Sequence, residues 1–204
     1  MRKKKSPDLP GVTTEEEKEI KARNTRNRRE GGIFEKMILA ACEDYRARGV
    51  AEIAKVPEAR RVVGRTGNRS SLMICANAEK AHPDFMGSLA PEGKCVVFDA
   101  KHTENGKITA NVVSDKQDEI LRRHMACGAS CYIAVSFGFA DFFLVPYSLW
   151  IDMKARVGRK YLRPDDEAIQ SFRFEAEDIL GEDGEPVKDK SGEVRKIAWF
   201  LGKN

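Results

Sequence analysis

The stretch Gly93-Lys-Cys-Val-Val-Phe-Asp-Ala-Lys-His-Thr103 is an apolar, strand-like run that carries an aspartate and a lysine two residues apart, at Asp99 and Lys101. Successive side chains of a strand point to opposite faces, so Cys95, Val97, Asp99 and Lys101 share one face while Val96, Phe98 and Ala100 share the other. Taken alone, the pair reads as an ion pair at a strand end. Pro83-Asp84 stands fifteen positions upstream of Asp99, on a segment able to pair with the strand and set a second carboxylate beside the first. Two carboxylates and a lysine at one strand end make an oxygen-rich site suited to Mg²⁺ or Mn²⁺. Such an ion polarises a phosphodiester and activates water, and the ammonium positions that water or offsets the developing negative charge. Glu35, at the border of a helix's buried face, is the candidate third carboxylate.

With 204 residues, 41% of them hydrophobic, the chain can bury one sizeable core and needs no second domain. No apolar run approaches the ~18 residues of a membrane span. The charged start MRKKKSPDLP is not followed by the apolar stretch of a secretory signal. These features predict a soluble, cytoplasmic protein with no membrane partner. Five scattered cysteines, mostly in apolar segments, suit reduced core thiols. Cys127 and Cys131 alone lie close together, without the further ligands that zinc needs.

The net charge of +4 is unevenly placed: residues 1–29 hold ten Lys/Arg against five acids. The run from Arg23 through Arg26 and Arg28 to Arg29 contains no acid. It reads either as a solvated tail or as a nucleic-acid arm whose cations displace counterions from phosphates. We expect residues 1–30 to be a basic flexible arm, 31–155 the core, and 156–204 a C-terminal extension packed on it.

Within the core, Ile33, Phe34, Met37, Ile38, Ala41, Cys42 and Tyr45 recur at helical spacing and predict an amphipathic helix that ends near Gly49. Residues 50–83 mix short apolar pieces with Arg60, Arg61, Arg65 and Arg69, which predicts short strands and a basic protrusion. A strand is expected over 94–101, then a polar turn at 104–107. Ser114-Asp-Lys-Gln117 has the capping-box pattern and opens a helix that stops at Gly128. Cys131–Phe137 and Phe142–Val145 read as a hairpin. A helix over Tyr147–Ala155 follows, and then two strands, SFRFEAEDIL and KIAWFLG, around an acidic loop at 181–193. The alternation predicts a mixed α/β domain.

Taken together, these residues resemble the RecU family of Holliday junction resolvases, over about Arg26 to Trp150. The likeness rests on Arg26-Asn-Arg28, Gly32-x-Phe-Glu35, Asp84-Phe-Met-Gly87, Phe98-Asp-Ala-Lys101-x-Thr103, Gln117 with His124-Met125, Gly128, Phe137 and Leu144-Val-Pro146. No single motif is specific; their order and spacing are. The resemblance implies a restriction-endonuclease-like mixed sheet flanked by helices, with a stalk supplied by about residues 60–80. It also implies a homodimer that nicks two opposed strands of a four-way DNA junction with Mg²⁺, or Mn²⁺ in its place. Carried over residue by residue, it gives Asp84 and Asp99 as metal ligands, Lys101 as the catalytic lysine and Glu35 as an accessory acid. It places the protein in the cytoplasm of a bacterial or phage-infected cell. The chain departs from the family in having Asp99 where Glu is usual, and His82-Pro83 where small hydroxyl residues are common.

Other polar residues have two readings each. Gln117 either caps its helix or touches the scissile phosphate. His82 either contacts a phosphate or is simply exposed. His102 follows Lys101 and is expected to face away from it, and His124 to pack against Ile120 and Leu121. Two functions compete with the resolvase: a general nicking or repair nuclease on the same fold, and a DNA-binding recombination factor with an inactive metal site. The intact Asp84, Asp99 and Lys101 speak against the last.

Overall fold

In the computed structural model, the described residues are 14–57, 60–65, 73–77 and 82–203. The first element is α1, Thr14–Ala47, a continuous helix of 34 residues. Its second half follows the expected apolar spacing, with Phe34, Met37, Ile38, Ala41, Cys42 and Tyr45 all buried. Its first half falls in the expected basic arm, read from sequence as disordered or weakly helical; residues 1–13 lie outside the described residues, and residues 14–30 are helical. That segment is exposed and shows no apolar stripe to announce it. Pairs one turn apart, Lys18 with Glu15 and Arg26 with Glu30, support it instead.

A six-stranded mixed sheet forms the centre. In chain order its strands are β1 (Ala51–Lys55), β4 (Phe85–Leu89), β5 (Lys94–Thr103), β7 (Ser130–Phe137), β8 (Asp141–Pro146) and β10 (Arg173–Phe174). They also lie side by side in that order. Only the β5–β7 pair is parallel; the other neighbours run antiparallel. The parallel pair needs a crossover, and α2 (Asp115–Ala126) supplies it. Ser114 caps α2 in a complete capping box with Gln117, as its sequence predicts. Between β1 and β4 the chain makes a separate two-stranded ribbon, β2 (Arg60–Arg65) and β3 (Met73–Asn77), with a register shift between Val62 and Gly64.

Side chains of β5 alternate between two cores. Val96 and Phe98 join α1 and the C-terminal strand β12 (Lys196–Ala198), whereas Val97 faces the α2 side with Leu121, Ile133 and Val135. The helix expected over 147–155 is two short helices, α3 (Tyr147–Ile151) and α4 (Met153–Val157), with Asp152 between them. Two small ribbons lie outside the main sheet, and the second joins the expected strands of SFRFEAEDIL and KIAWFLG. One pairs β6 (Ile108–Thr109) with β9 (Tyr161–Leu162), and the other pairs β11 (Ala176–Asp178) with β12. The short helix α5 (Glu167–Gln170) completes the α2 side.

The apolar strands of the β7–β8 hairpin suggest a dimer interface, but the chain itself covers most of them. Ile133 to Phe137, Phe142, Phe143 and Val145 are buried by the chain's own two cores. No described helix is long and apolar enough to cross a membrane.

Candidate active site

The site forms where β4 and β5 part. Their last antiparallel pair is Phe85 with Phe98, and one further step along the same register sets Asp84 opposite Asp99. Directly opposed residues of antiparallel strands project from the same face at close range. Here the backbone N–H of Ala100 donates to Asp84 Oδ2 at 2.9 Å, which anchors the first carboxylate to the second strand. On the other side of β4, Gly87 lets β1 pair closely, since a Cβ there would lie 2.0 Å from the carbonyl oxygen of Glu52 on β1.

Asp99 is fully buried, one of two buried polar residues among those described. Its Oδ1 accepts a 2.7 Å hydrogen bond from Gln117 Nε2. Gln117 Oε1 meanwhile accepts from the Ser114 backbone N–H at 3.1 Å. One amide thus caps α2 and fixes the aspartate, so the first of its two expected roles holds and a second, unforeseen one joins it. Asp99 Oδ2 touches the Lys101 ammonium as an ion pair but has no partner in hydrogen-bonding geometry. Lys101 itself is partly exposed, at 21% of its side chain.

Burial, and after it the charge of Asp99, push the Asp84 carboxyl up to about 6; the Ala100 N–H and Lys101 oppose the rise. Two like-charged carboxylates held this close are mutually unfavourable unless a proton or a cation sits with them. The donor set is hard oxygen, one oxygen is buried without a hydrogen bond, and the charge is short of compensation. These are the properties of a site for a small divalent cation.

Glu35 is not brought to this pair by any described contact; it is ion-paired with Lys55, the last residue of β1. His82 is exposed, two residues before Asp84. Arg23, Arg26, Arg28 and Arg29 all lie on the exposed first half of α1. Arg29 is tied to Glu193 of the C-terminal segment, and Arg26 lies 3.6 Å from Glu30. Arg60, Arg61 and Arg65 are on the β2 strand of the separate ribbon, and Arg69 lies outside the described residues. The ribbon's root is at the site, for the Val56 N–H donates to the Asp84 carbonyl at 2.8 Å.

His102 faces away from the Asp99 side, as expected, but its surroundings are not legible in sequence. Its ring stacks on Phe139 at 4.1 Å, Nδ1 meets Ser136 Oγ at 3.1 Å and Nε2 meets Glu104 at 2.8 Å. Glu30 completes a group whose ligand-type atoms lie within 4.8 Å of one another. Both ring nitrogens already have protein partners, so this network is complete without a cation.

The chain matches one protein family, RecU, described as Recombination protein U, over residues 29–177. That span is well over half the chain. No curated protein matches it. Among solved structures it resembles Hjc of Archaeoglobus fulgidus, a Holliday junction resolvase from an archaeal hyperthermophile. The identity is 14%, the TM-score 0.36, and the likeness covers 58% of this chain and 74% of that chain. Agreement at that level decides neither fold nor substrate.

Proposed function

The chain belongs to the RecU family of Holliday junction resolvases, and from that premise we propose that Asp84, Asp99 and Lys101 are the catalytic centre of a Mg²⁺-dependent junction endonuclease. The observation that carries the assignment is the facing pair Asp84 and Asp99, with a buried, unbonded Oδ2 and a neighbouring ammonium. Asp84 and Asp99 would hold the cation, Mg²⁺ or Mn²⁺. When bound, such an ion polarises the phosphodiester and makes a nucleophile of water at neutral pH.

The protein's own residues do the rest. Gln117 holds Asp99 in one orientation through Oδ1, leaving Oδ2 buried, free of hydrogen bonds and beside the Lys101 ammonium. Ala100 fixes Asp84 in the same way. Lys101 offers a positive charge beside Asp99 that can orient an incoming water or stabilise the charge developing on the phosphate. Glu35 acts as an accessory acid by holding Lys55 at the end of β1, next to the root of the ribbon. The arginines of α1 and of β2 contact phosphates, and the β2–β3 ribbon serves as the stalk that enters the junction centre. His82 reaches a phosphate from its exposed position beside the site.

The protein works in the cytoplasm as a homodimer, because one site makes one cut and resolution requires two at symmetric positions. The experiment is cleavage of a synthetic four-way junction beside a matched linear duplex, with and without Mg²⁺. Paired symmetric nicks in the junction alone, dependent on the ion, are expected. Equal cutting of both substrates would point to a general nicking nuclease, and binding without cutting to an inactive recombination factor.

A further inference from the structure

Tyr161 opens β9, and three cations gather on its ring. Arg159 Cζ lies 4.7 Å from the ring centroid, and Lys107 Nζ and Arg163 Cζ lie 5.4 Å from it. One phenol face attracts a cation but does not offset the mutual repulsion of three. Asp166 compensates Arg159 through an ion pair. Lys107 and Arg163 make no ion pair among the described residues, and neither do Lys154, Arg156 and Lys160 nearby. Along the chain, Met153 to Pro164 contains five Lys/Arg and not one acid. Scanning for acid-free basic runs would find this segment as readily as the one in α1.

Its position gives the charge a purpose. Tyr161 pairs with Thr109 and Leu162 with Ile108, and the Ala110 N–H donates to the Lys160 carbonyl at 3.0 Å. The partner strand β6 follows directly on the end of β5. It leads through a turn of 3₁₀ helix, Ala110–Val112, to Ser114 and Gln117, which holds Asp99. Lys107 is therefore on the connection from β5 to α2 that shapes the catalytic site, and Lys160 and Arg163 flank the strand β9 paired with it.

We propose that Lys107 and Arg163, on the ring of Tyr161, together with the exposed Lys160 that precedes it in the chain, form a third phosphate-binding surface for a duplex arm of the DNA, distinct from the α1 arginines and the β2–β3 ribbon. It rests on the resolvase reading for the identity of the DNA, but not for its phosphate chemistry. Tyr161 serves as a platform that holds like charges apart and outward. The ligand is the phosphodiester backbone, read by charge without base contacts.

The test is the salt dependence of binding by the full-length chain in EDTA, on a four-way junction and on a linear duplex, with the variant K107Q/K160Q/R163Q. Each neutralised phosphate contributes roughly 0.9 to the log–log slope, so the triple variant should lose about 2.7. Lys160→Gln alone should lose about 0.9, which keeps the test valid if the triple variant folds poorly. Lys190→Gln, an exposed lysine in the C-terminal segment, is the control for a general loss of charge and should keep the wild-type slope. A triple-variant slope equal to wild type, or lowered no more than by Lys190→Gln, overturns the proposal. If wild type binds linear duplex and shows no preference for the junction, the resolvase reading fails instead. The duplex slopes then still decide the phosphate surface.

Discussion

With Asp99 buried beside it, Asp84 carries a carboxyl whose folded pKa, about 6, exceeds the value of 3.8 expected when exposed. Between those values the folded state binds more protons than the unfolded one, so stability falls as pH rises from about 4 to about 6. The metal-free protein should show that decline in urea unfolding, and Asp84→Asn should flatten it. Mg²⁺ should raise the melting temperature of wild type near pH 7, because it binds the folded site, and should do so far less for Asp84→Asn. Gln117 tests the shell around the pair. Gln117→Glu keeps the oxygen that accepts from Ser114 but loses the donor to Asp99, so α2 should stay capped while cleavage falls by roughly 10–100-fold. Equal loss of helix stability and activity would reduce Gln117 to a cap. Asp84, Asp99 and Lys101 are legible in sequence because strand alternation puts the last two on one face and Pro83-Asp84 stands on a segment able to pair with that strand. Gln117's reach to Asp99 is not, since it depends on how α2 crosses the sheet, and no period encodes that.

At the scale of elements, the β4–β5 pair holds the site together, and β4 is in turn packed closely on β1 at Gly87. Gly87→Ala would drive a methyl group into the Glu52 carbonyl and the Ile53 backbone of β1. We expect a loss of about 1–3 kcal/mol, typical of overpacking, read as a lower urea midpoint with an unchanged slope. An unaffected midpoint would show that β1 can move aside. The exposed half of α1 is a separate matter. The first buried residue of the helix is Phe34, so deleting residues 1–25 should leave folding intact. It should also flatten the salt dependence of DNA binding by roughly 0.9 for every phosphate that the segment neutralises. An unchanged slope would mark the segment as solvated only. The sequence announces α1 from residue 33 because apolar spacing begins there. Upstream, the helix is polar on all sides and held by propensity and one-turn ion pairs, which leave no stripe to read. The ribbon β6–β9 is equally invisible, its strands being two residues long and paired far apart in the chain, whereas β11 and β12 fall within the two strands read from SFRFEAEDIL and KIAWFLG.

For the whole molecule, mixed α/β architecture and the sheet's central hairpin follow from sequence, whereas the strand order and the two cores do not. The hairpin's apolar residues suggest an interface, but an apolar run looks the same whether a partner or the chain's own helices cover it. The chain's own cores bury most of the hairpin and leave Tyr132 and Leu144 partly exposed. Light scattering at micromolar concentration should still give twice the monomer mass. A mixed dimer with one Lys101→Ala chain should nick one strand and accumulate that product, whereas a monomer that makes paired cuts would contradict the assembly. The central claim is that the facing carboxylates perform the chemistry while phosphate binding supplies the affinity. Single-turnover cleavage of a four-way junction in Mg²⁺, set beside junction affinity in EDTA, tests it directly with Asp99→Asn. Loss of several kcal/mol of metal-supplied stabilisation predicts a rate lower by roughly a thousandfold, with affinity close to wild type. Wild-type cleavage by Asp99→Asn would place the catalytic site elsewhere in the molecule.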